Sequence, residues 1–352
     1  MTFDRSLTPQ PPEETVRLHD PESGLHGLIV LHSTRLGPAA GGCRFWRYET
    51  DEAAWLDAVR LAEGMSYKNA LAGLPLGGGK AVLCAPAGEF DRAALFRAFG
   101  RAVASLGGRY ITAEDVGTSV EDLLHVAEST RYAAGLPAKP GQPGGDPSPW
   151  TALGVFRAMQ IAVQRRLGRD LGEVTVGVQG LGHVGFALCE LLHEAGAKLI
   201  VAEPRSDVAA RAATRFGAEI MTSKALFEAK LDVLAPCALG AVLDATTVRR
   251  LRAKVVCGAA NNQLATSGQG VELATRGVLY APDYLVNAGG IINVAAEYLH
   301  WSEAEAHSRV EAIGNRLTEV LDLAESNGVA PHEAADTLAR SIIAGEAFAN
   351  AA

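Results

Sequence analysis

Residues 175–203 (TVGVQGLGHVGFALCELLHEAGAKLIVAE) constrain the fold more than any other stretch of this chain. An apolar run ends in Gly180-Leu181-Gly182-His183-Val184-Gly185, a helical pattern follows, and a second apolar run closes on Glu203. Each part answers a physical need. Gly180 permits the tight turn out of a strand, Gly182 lets backbone approach a pyrophosphate, and Gly185 lets helix and strand pack closely. The amides of the helix N-terminus, including those of His183 and Val184, would hold the phosphate charge. Glu203 is placed to accept hydrogen bonds from ribose hydroxyls. Strand, glycines, helix, second strand and acid occur in order, so the stretch predicts a dinucleotide site. It begins halfway along the chain, leaving room upstream for a separate domain.

The remaining pattern fits that division. A length of 352 residues and 48% hydrophobic content allow two buried cores. The N-terminus (MTFDRSLTPQPPEE) lacks a basic region followed by an apolar one, so no secretory signal is read, and no apolar run is long enough to span a membrane. A net charge of -8 argues against general nucleic-acid affinity. The five cysteines (Cys43, Cys84, Cys189, Cys237, Cys257) show no CxxC spacing and sit in apolar runs, as expected of reduced thiols in a cytoplasmic protein.

Upstream, alternation marks a strand at Leu25–Thr34, and Thr50 with Asp51-Glu52 starts a helix reaching about Leu71. Lys80–Ala85 reads as a short buried strand, Asp91–Leu106 as a helix, Arg109–Ala113 as a strand and Ser119–Thr130 as a helix. Gly135–Pro149 is dense in Pro and Gly and serves as hinge. Downstream, Trp150–Leu167 is helical, and strands at Val174–Val178, Leu199–Ala202, Val233–Leu234 and Lys254–Cys257 alternate with helices. That alternation predicts a parallel, doubly wound sheet. Helices dominate beyond Ile291, with a long amphipathic one at Glu303–Asn327 and a last one at Pro331–Ala352 that packs back on the first domain. The expected domains are therefore 1–135 with 331–352, a hinge at 136–149, and 150–330, with a cleft between the two domains for cofactor and small substrate.

Three segments of the first domain stand out from scaffold. Gly37–Arg44 (GPAAGGCR) reads as a glycine turn whose amides could face a carboxylate. Residues 68–80 (KNALAGLPLGGGK) put Lys68 on the last turn of a helix and Lys80 directly after three glycines, leading a buried strand. Ala113-Glu114-Asp115-Val116 leaves an acid at a strand end. A solvated charge at a helix C-terminus accounts for Lys68, and a helix cap for Asp115, in the ordinary reading. Lys80 resists it, because a charge entering a buried strand needs a partner or a purpose. Burial favours the neutral form of an amine, which suits proton transfer.

At this point GPAAGGCRFW, MSYKNALAGLPLGGGK, RYITAEDVGT, DPSPWTALGVFRAM, GLGHVG, APCALGAVL, GAANNQL and APDYLVNAGGIINVA together resemble the amino-acid dehydrogenases acting on glutamate, leucine, phenylalanine and valine. The similarity runs from about Gly24 to about Arg340 and is nearest to the leucine and valine members. It implies an α/β chain with an N-terminal substrate and oligomerisation domain followed by a Rossmann-type NAD domain. The implied reaction is NAD-dependent oxidative deamination of an L-amino acid to a 2-oxo acid and ammonium. Lys80 would be the catalytic lysine, with Asp115 paired to it and shuttling protons. Lys68 would hold the substrate carboxylate with the Gly41-Gly42 turn. Asn262 would meet the nicotinamide ribose or substrate, Asn261 the carboxamide, and Thr151 would lie at the cofactor.

The resemblance also bears on specificity. Glutamate enzymes carry a lysine where this chain has Ala40, so an apolar substrate is implied; Ala113, Ile291 and Val294 would complete the pocket. Branched-chain amino acids are the expected substrates, with phenylalanine or tryptophan as the alternative. Glu203 favours NAD, and Arg205 nearby is the feature that would admit NADP. The Pro-rich Leu7–Glu14 and the end at Ala352 differ from leucine enzymes, so a homo-oligomer, a dimer before an octamer, is expected. A hydroxy-acid dehydrogenase would need a placed histidine, and neither His183 nor His125 has that setting. A catalytically silent dinucleotide sensor would not need Lys68, Lys80 and Asp115 together. No metal is expected.

Overall fold

A computed structural model of the chain describes residues 11–137, 144–238 and 240–346. Among these residues the chain divides into two compact units. The first takes residues up to 146 with 293–306 and those from 339, and the second takes 147–292 and 307–338. The hinge segment 136–149 lies partly, and residues 347–352 of the last helix wholly, outside the described residues.

The first unit is a five-stranded sheet made by β1 (Glu14–Asp20), β2 (Leu25–Ser33), β3 (Ala39–Trp46), β4 (Gly77–Cys84) and β5 (Tyr110–Glu114). Their order is β1-β2-β4-β3-β5, with β3 parallel to both β4 and β5. Helix α1 (Asp51–Leu71) covers one face. Thr50 caps it by accepting from the amide of Ala53, and Asp51 and Glu52 sit favourably in its first turn. Ala54, Ala58, Val59 and Ala62 face Leu28, Val30 and Val82, and such small side chains let helix and sheet approach closely. The other face packs Ile29, Leu31, Leu83 and Tyr110 on Phe96 and Phe99 of α2 (Arg92–Ser105) and on Leu123 of α3 (Val120–Ala127). Each such side chain, fully buried, stabilises the fold by about 1.5–3 kcal/mol.

Two expectations are corrected here. Gly41-Gly42 is not a turn but the middle of β3, paired with Thr112 and Ala113. The strand of Lys80 begins three residues earlier, at Gly77, so the glycine run is itself strand. The reason in both cases is close approach. A Cβ on Gly41 would lie 1.8 Å from the carbonyl oxygen of Gly79, and one on Gly78 would lie 2.1 Å from the amide nitrogen of Ser66 in α1. Glycine weakens a strand in isolation, but only glycine lets these backbones meet.

The second unit holds β6 (Thr175–Gln179), β7 (Lys198–Ala202), β8 (Glu219–Ile220), β9 (Val233–Pro236), β10 (Val255–Val256) and β11 (Leu279–Tyr280). All pair in parallel, in the order β11-β10-β9-β6-β7-β8. The order reverses at β6/β9, the switch point where doubly wound sheets bind nucleotides. Helices α4 (Ser148–Leu167) and α5 (His183–Glu194) belong to this unit. The single helix expected at Glu303–Asn327 is two, Glu303–Glu311 and Ile313–Asn327. The last helix, Pro331–Ala344, contributes to both units; from its end, the Arg340 guanidinium lies 6.0 Å over the Tyr67 ring of α1. No helix of the described residues is long and apolar enough to cross a membrane.

Candidate active site

In the first unit the structure brings Lys80 and Asp115 together. Lys80 is 4% exposed, and its Nζ lies 2.8 Å from Asp115 Oδ2. Period-two alternation puts Lys80 on the α1 face of β4, between Gly78 against Ser66 and Val82 in the apolar cluster. A buried ammonium there is tolerable because a carboxylate meets it.

Asp115 leaves β5 in a turn stitched to β3. Its amide donates to Thr118 Oγ1 at 2.9 Å, and the Phe45 amide donates to the Val116 carbonyl at 3.0 Å. The helix that follows is capped by Ser119 with Asp122, so Asp115 is not a cap. Gly42 is required beneath it, because a Cβ there would lie 2.7 Å from Asp115 Cβ. The fully buried Tyr110 fixes the neighbouring strand by donating its hydroxyl to the Gly41 carbonyl at 2.8 Å. Burial works to raise the Asp115 carboxyl, but Lys80 and then Arg44 beside it hold it below the usual carboxylate range. It is therefore an anion at neutral pH. Its contribution to stability is present above the unfolded carboxylate range and fades as pH falls through its own lower one.

Sequence reasoning missed Arg44. Its Nε lies 3.2 Å from the same Asp115 Oδ2, and its other end lies 2.8 Å from Asp57 Oδ2 on α1. Asp57 also accepts from Tyr48 at 2.6 Å and Arg60 at 3.0 Å. The only available signal was an arginine at alternate spacing from Ala40 and Gly42, inside a strand mistaken for a turn.

Lys68 sits half-buried on the last turn of α1. That turn is anchored by its neighbour Asn69, fully buried, which donates to the Gly77 carbonyl at 2.6 Å. Ala40 is buried in β3, opposite Gly78 and Ile111, and Ala113 is half-buried in β5. Ile291 and Val294, on the helix Gly289–Leu299, are half-buried and fall in the second and first unit respectively.

In the second unit the glycine loop has the predicted form. Gly180 has φ +91, and a Cβ on Gly185 would lie 2.0 Å from the Gly180 carbonyl oxygen. Gly182 and His183 are exposed, and a Cβ on Gly182 would meet open space. Gly182 is the N-cap of α5 and gives its amides no side-chain partner. A helix N-terminus of this kind could hold an anion such as a pyrophosphate. Glu203 is drawn into the loop: its carboxylate accepts from the Leu181 amide at 2.8 Å and from Arg205 Nε at 2.8 Å. Arg205 first, against some burial, and then the Leu181 amide lower its pKa to about 2. A carboxylate has room for further donors, so ribose hydroxyls remain within its capacity.

Asn261 and Asn262 lie exposed on a loop that Gln263 fastens, by donating its side-chain amide to the Gly258 carbonyl at 2.7 Å and its backbone amide to Asp283 at 2.7 Å. Asn262 has φ +52, a left-handed position asparagine tolerates, and Asn261 Oδ1 accepts from Asn287 at 2.7 Å. Thr151 donates to the Pro147 carbonyl at 3.1 Å, and its Oγ1 is 2.8 Å from where a Gly290 Cβ would stand. Burial raises the Cys43, Cys189, Cys237 and Cys257 thiols, Cys237 to about 12, so none is poised as a nucleophile.

A buried lysine paired with a carboxylate in one unit and a glycine-flanked helix N-terminus in the other are features expected of an oxidoreductase of the dinucleotide-binding class. Residues 12–132 match the family described as Glu/Leu/Phe/Val dehydrogenase, dimerisation domain, and residues 201–350 match Glutamate/Leucine/Phenylalanine/Valine dehydrogenase. The leucine dehydrogenase of Thermoactinomyces intermedius is 47% identical over 94% of this chain and 90% of its own. The valine dehydrogenase of Streptomyces coelicolor is 44% identical over 94% of this chain and 92% of its own. Among solved structures, the L-tryptophan dehydrogenase of Nostoc punctiforme superimposes with TM-score 0.86 at 38% identity, covering 95% of this chain and 96% of that one. The chain belongs to the Glu/Leu/Phe/Val dehydrogenase family of amino-acid dehydrogenases.

Proposed function

We propose that the chain catalyses reversible, NAD-dependent oxidative deamination of a branched-chain aliphatic L-amino acid, giving the 2-oxo acid and ammonium. The carrying observation is the Lys80–Asp115 pair, 2.8 Å apart and buried beside a strand that offers Ala40, Gly41 and Gly42 in place of polar side chains. NAD, when bound, accepts the hydride. The chain's own residues do the rest. Lys68 binds the substrate carboxylate. Gly41 and Gly42 act by leaving the floor bare, since their place in a strand ladder rules out a presenting turn. Asp115 takes the ammonium proton and orients the nitrogen, and Lys80 polarises the developing carbonyl and activates water for attack on the imine carbon.

On the cofactor side, the backbone amides of Gly182, His183 and Val184, where α5 begins, take the pyrophosphate, packed close by Gly180 and Gly185. Glu203 takes the adenosine ribose and disfavours a 2′-phosphate, while Asn261, Asn262 and Thr151 serve the nicotinamide end. The match to a dimerisation domain supports a homo-oligomer, a dimer first, which light scattering at a single protomer mass would refute.

Ala40, Ala113 and Val294, all of the first unit, are the side-chain contacts of the substrate in this reading, and none of the three offers a cation to a substrate carboxylate. A methylene is worth about 1–3 kcal/mol in an apolar pocket, so leucine, isoleucine and valine should differ by less than about 200-fold in kcat/KM. The test is steady-state kinetics over Leu, Val, Ile, Phe, Trp and Glu, each with NAD+ and NADP+. Glutamate as the best substrate would sink that assignment. The small Ala40 and the likeness to a tryptophan dehydrogenase favour an aromatic substrate as second reading, and a tryptophan optimum would select it.

A further inference from the structure

In the deamination proposed above, Lys80 changes protonation during turnover while Asp115 must stay an anion to receive a proton. A neutral Lys80 no longer supports the Asp115 charge. Resting on that reading, we infer that Arg44 is a positioning residue, the permanent counter-charge that keeps Asp115 ionised and aimed when Lys80 is neutral, and that Asp57 sets how much of that charge Asp115 receives.

The geometry carries this. Lys80 Nζ and Arg44 Nε converge on one oxygen, Asp115 Oδ2, at 2.8 and 3.2 Å. A guanidinium does not lose its proton in the accessible range, whereas an ammonium does. Arg44 is aimed by its other end: Nη1 meets Asp57 Oδ2 at 2.8 Å, and Asp57 is locked by Tyr48 and Arg60. Arg44, Asp57 and Asp115 are all largely buried, with side chains 20%, 18% and 24% exposed, so solvent screens the relay only in part.

The other groups around Asp115 do not substitute. The Cys43 thiol and Tyr110 phenol on the α2 side are neutral, both pushed up by burial. Asp122 of α3 is paired with Arg92 of α2 at 2.7 Å, and the adjacent Glu114 side chain is exposed. Among the described residues, Arg44 and Lys80 are the cations paired with the carboxylate, and a guanidinium keeps its charge.

The experiment is the pH profile of kcat/KM for deamination of L-leucine by the full-length enzyme bearing Arg44→Met, Arg44→Lys, Asp57→Asn or Asp115→Asn, with NADH binding by fluorescence as the check on fold. Removing a fixed positive charge from beside Asp115 raises the pKa of its carboxyl. Arg44→Met should therefore move the acid limb about 1–3 pH units upward. Asp57→Asn removes a negative charge and leaves Arg44 wholly to Asp115, so its acid limb should move downward. Arg44→Lys should keep the limb near wild type while lowering kcat. A purely structural bridge would be broken by either substitution, giving a uniform fall in activity or shifts of the same sign, and that result overturns the inference. If Asp115→Asn kept the activity and limb of the parent, the failure would lie with the role of Asp115 itself. If Asp115→Asn abolished turnover while Arg44→Met left the limb in place, it would lie with Arg44 alone.

Discussion

The two units build their sites from different materials. The first works with charged side chains brought together across a sheet: Arg44 from β3, Lys80 from β4, Asp115 after β5 and Asp57 from α1. The second works with backbone: the turn at Gly180, the start of α5 and one acid, Glu203, tied to Leu181. Glycine serves both, in opposite senses. In β3 and β4 it lets two strands and a helix crowd an ion pair, whereas before α5 a Cβ on Gly182 would meet open space. Charge held in low dielectric performs chemistry, and aligned amides bind without reacting.

Alanine at one glycine of each unit probes that difference most severely. Gly42→Ala drives a methyl to 2.7 Å from Asp115 Cβ, and Gly185→Ala drives one to 2.0 Å from the Gly180 carbonyl oxygen. A displacement near 1 Å at a reacting group costs about 100-fold in rate. Gly42→Ala should therefore lose about that much in kcat while binding NADH normally, and Gly185→Ala should weaken NADH binding. Equal effects of both on NADH affinity would erase the distinction. A smaller effect is expected at Glu203, whose carboxylate stays ionised at every working pH. Glu203→Gln should lower the NAD+/NADP+ ratio of kcat/KM by about tenfold, because the repulsion of a 2′-phosphate is lost while Arg205 remains. An unchanged ratio would free Glu203 of the cofactor assignment.

The same contrast explains what was legible in the sequence. The second unit's site lies largely within residues 175–203, so its strand, turn, helix and acid could be read in order, and each is where the pattern put it. In the first unit Lys68, Lys80 and Asp115 stood out by type, but the meeting of Lys80 with Asp115 depends on long-range pairing. Arg44 stayed hidden because GGC, judged by local propensity, reads as a turn. The close approach of β4 behind Gly41 and the Asp115 turn behind Gly42 override that propensity. The break at Ala312 between the two helices of 303–327 is marked only by Gly314, two residues on and inside the second helix, where a glycine is easily read as part of one continuous helix. Asp57 has no local mark in the sequence, because its partner Arg44 comes from a strand and meets it only through the fold.

Lys80→Ala tests the division of labour most directly, with NADH binding and leucine turnover measured on the same preparation. The account predicts native NADH affinity and a loss of kcat of at least about 1000-fold, at the scale of removing a principal catalytic group. Turnover within a few fold of the parent enzyme would take the chemistry away from the first unit's lysine and contradict it.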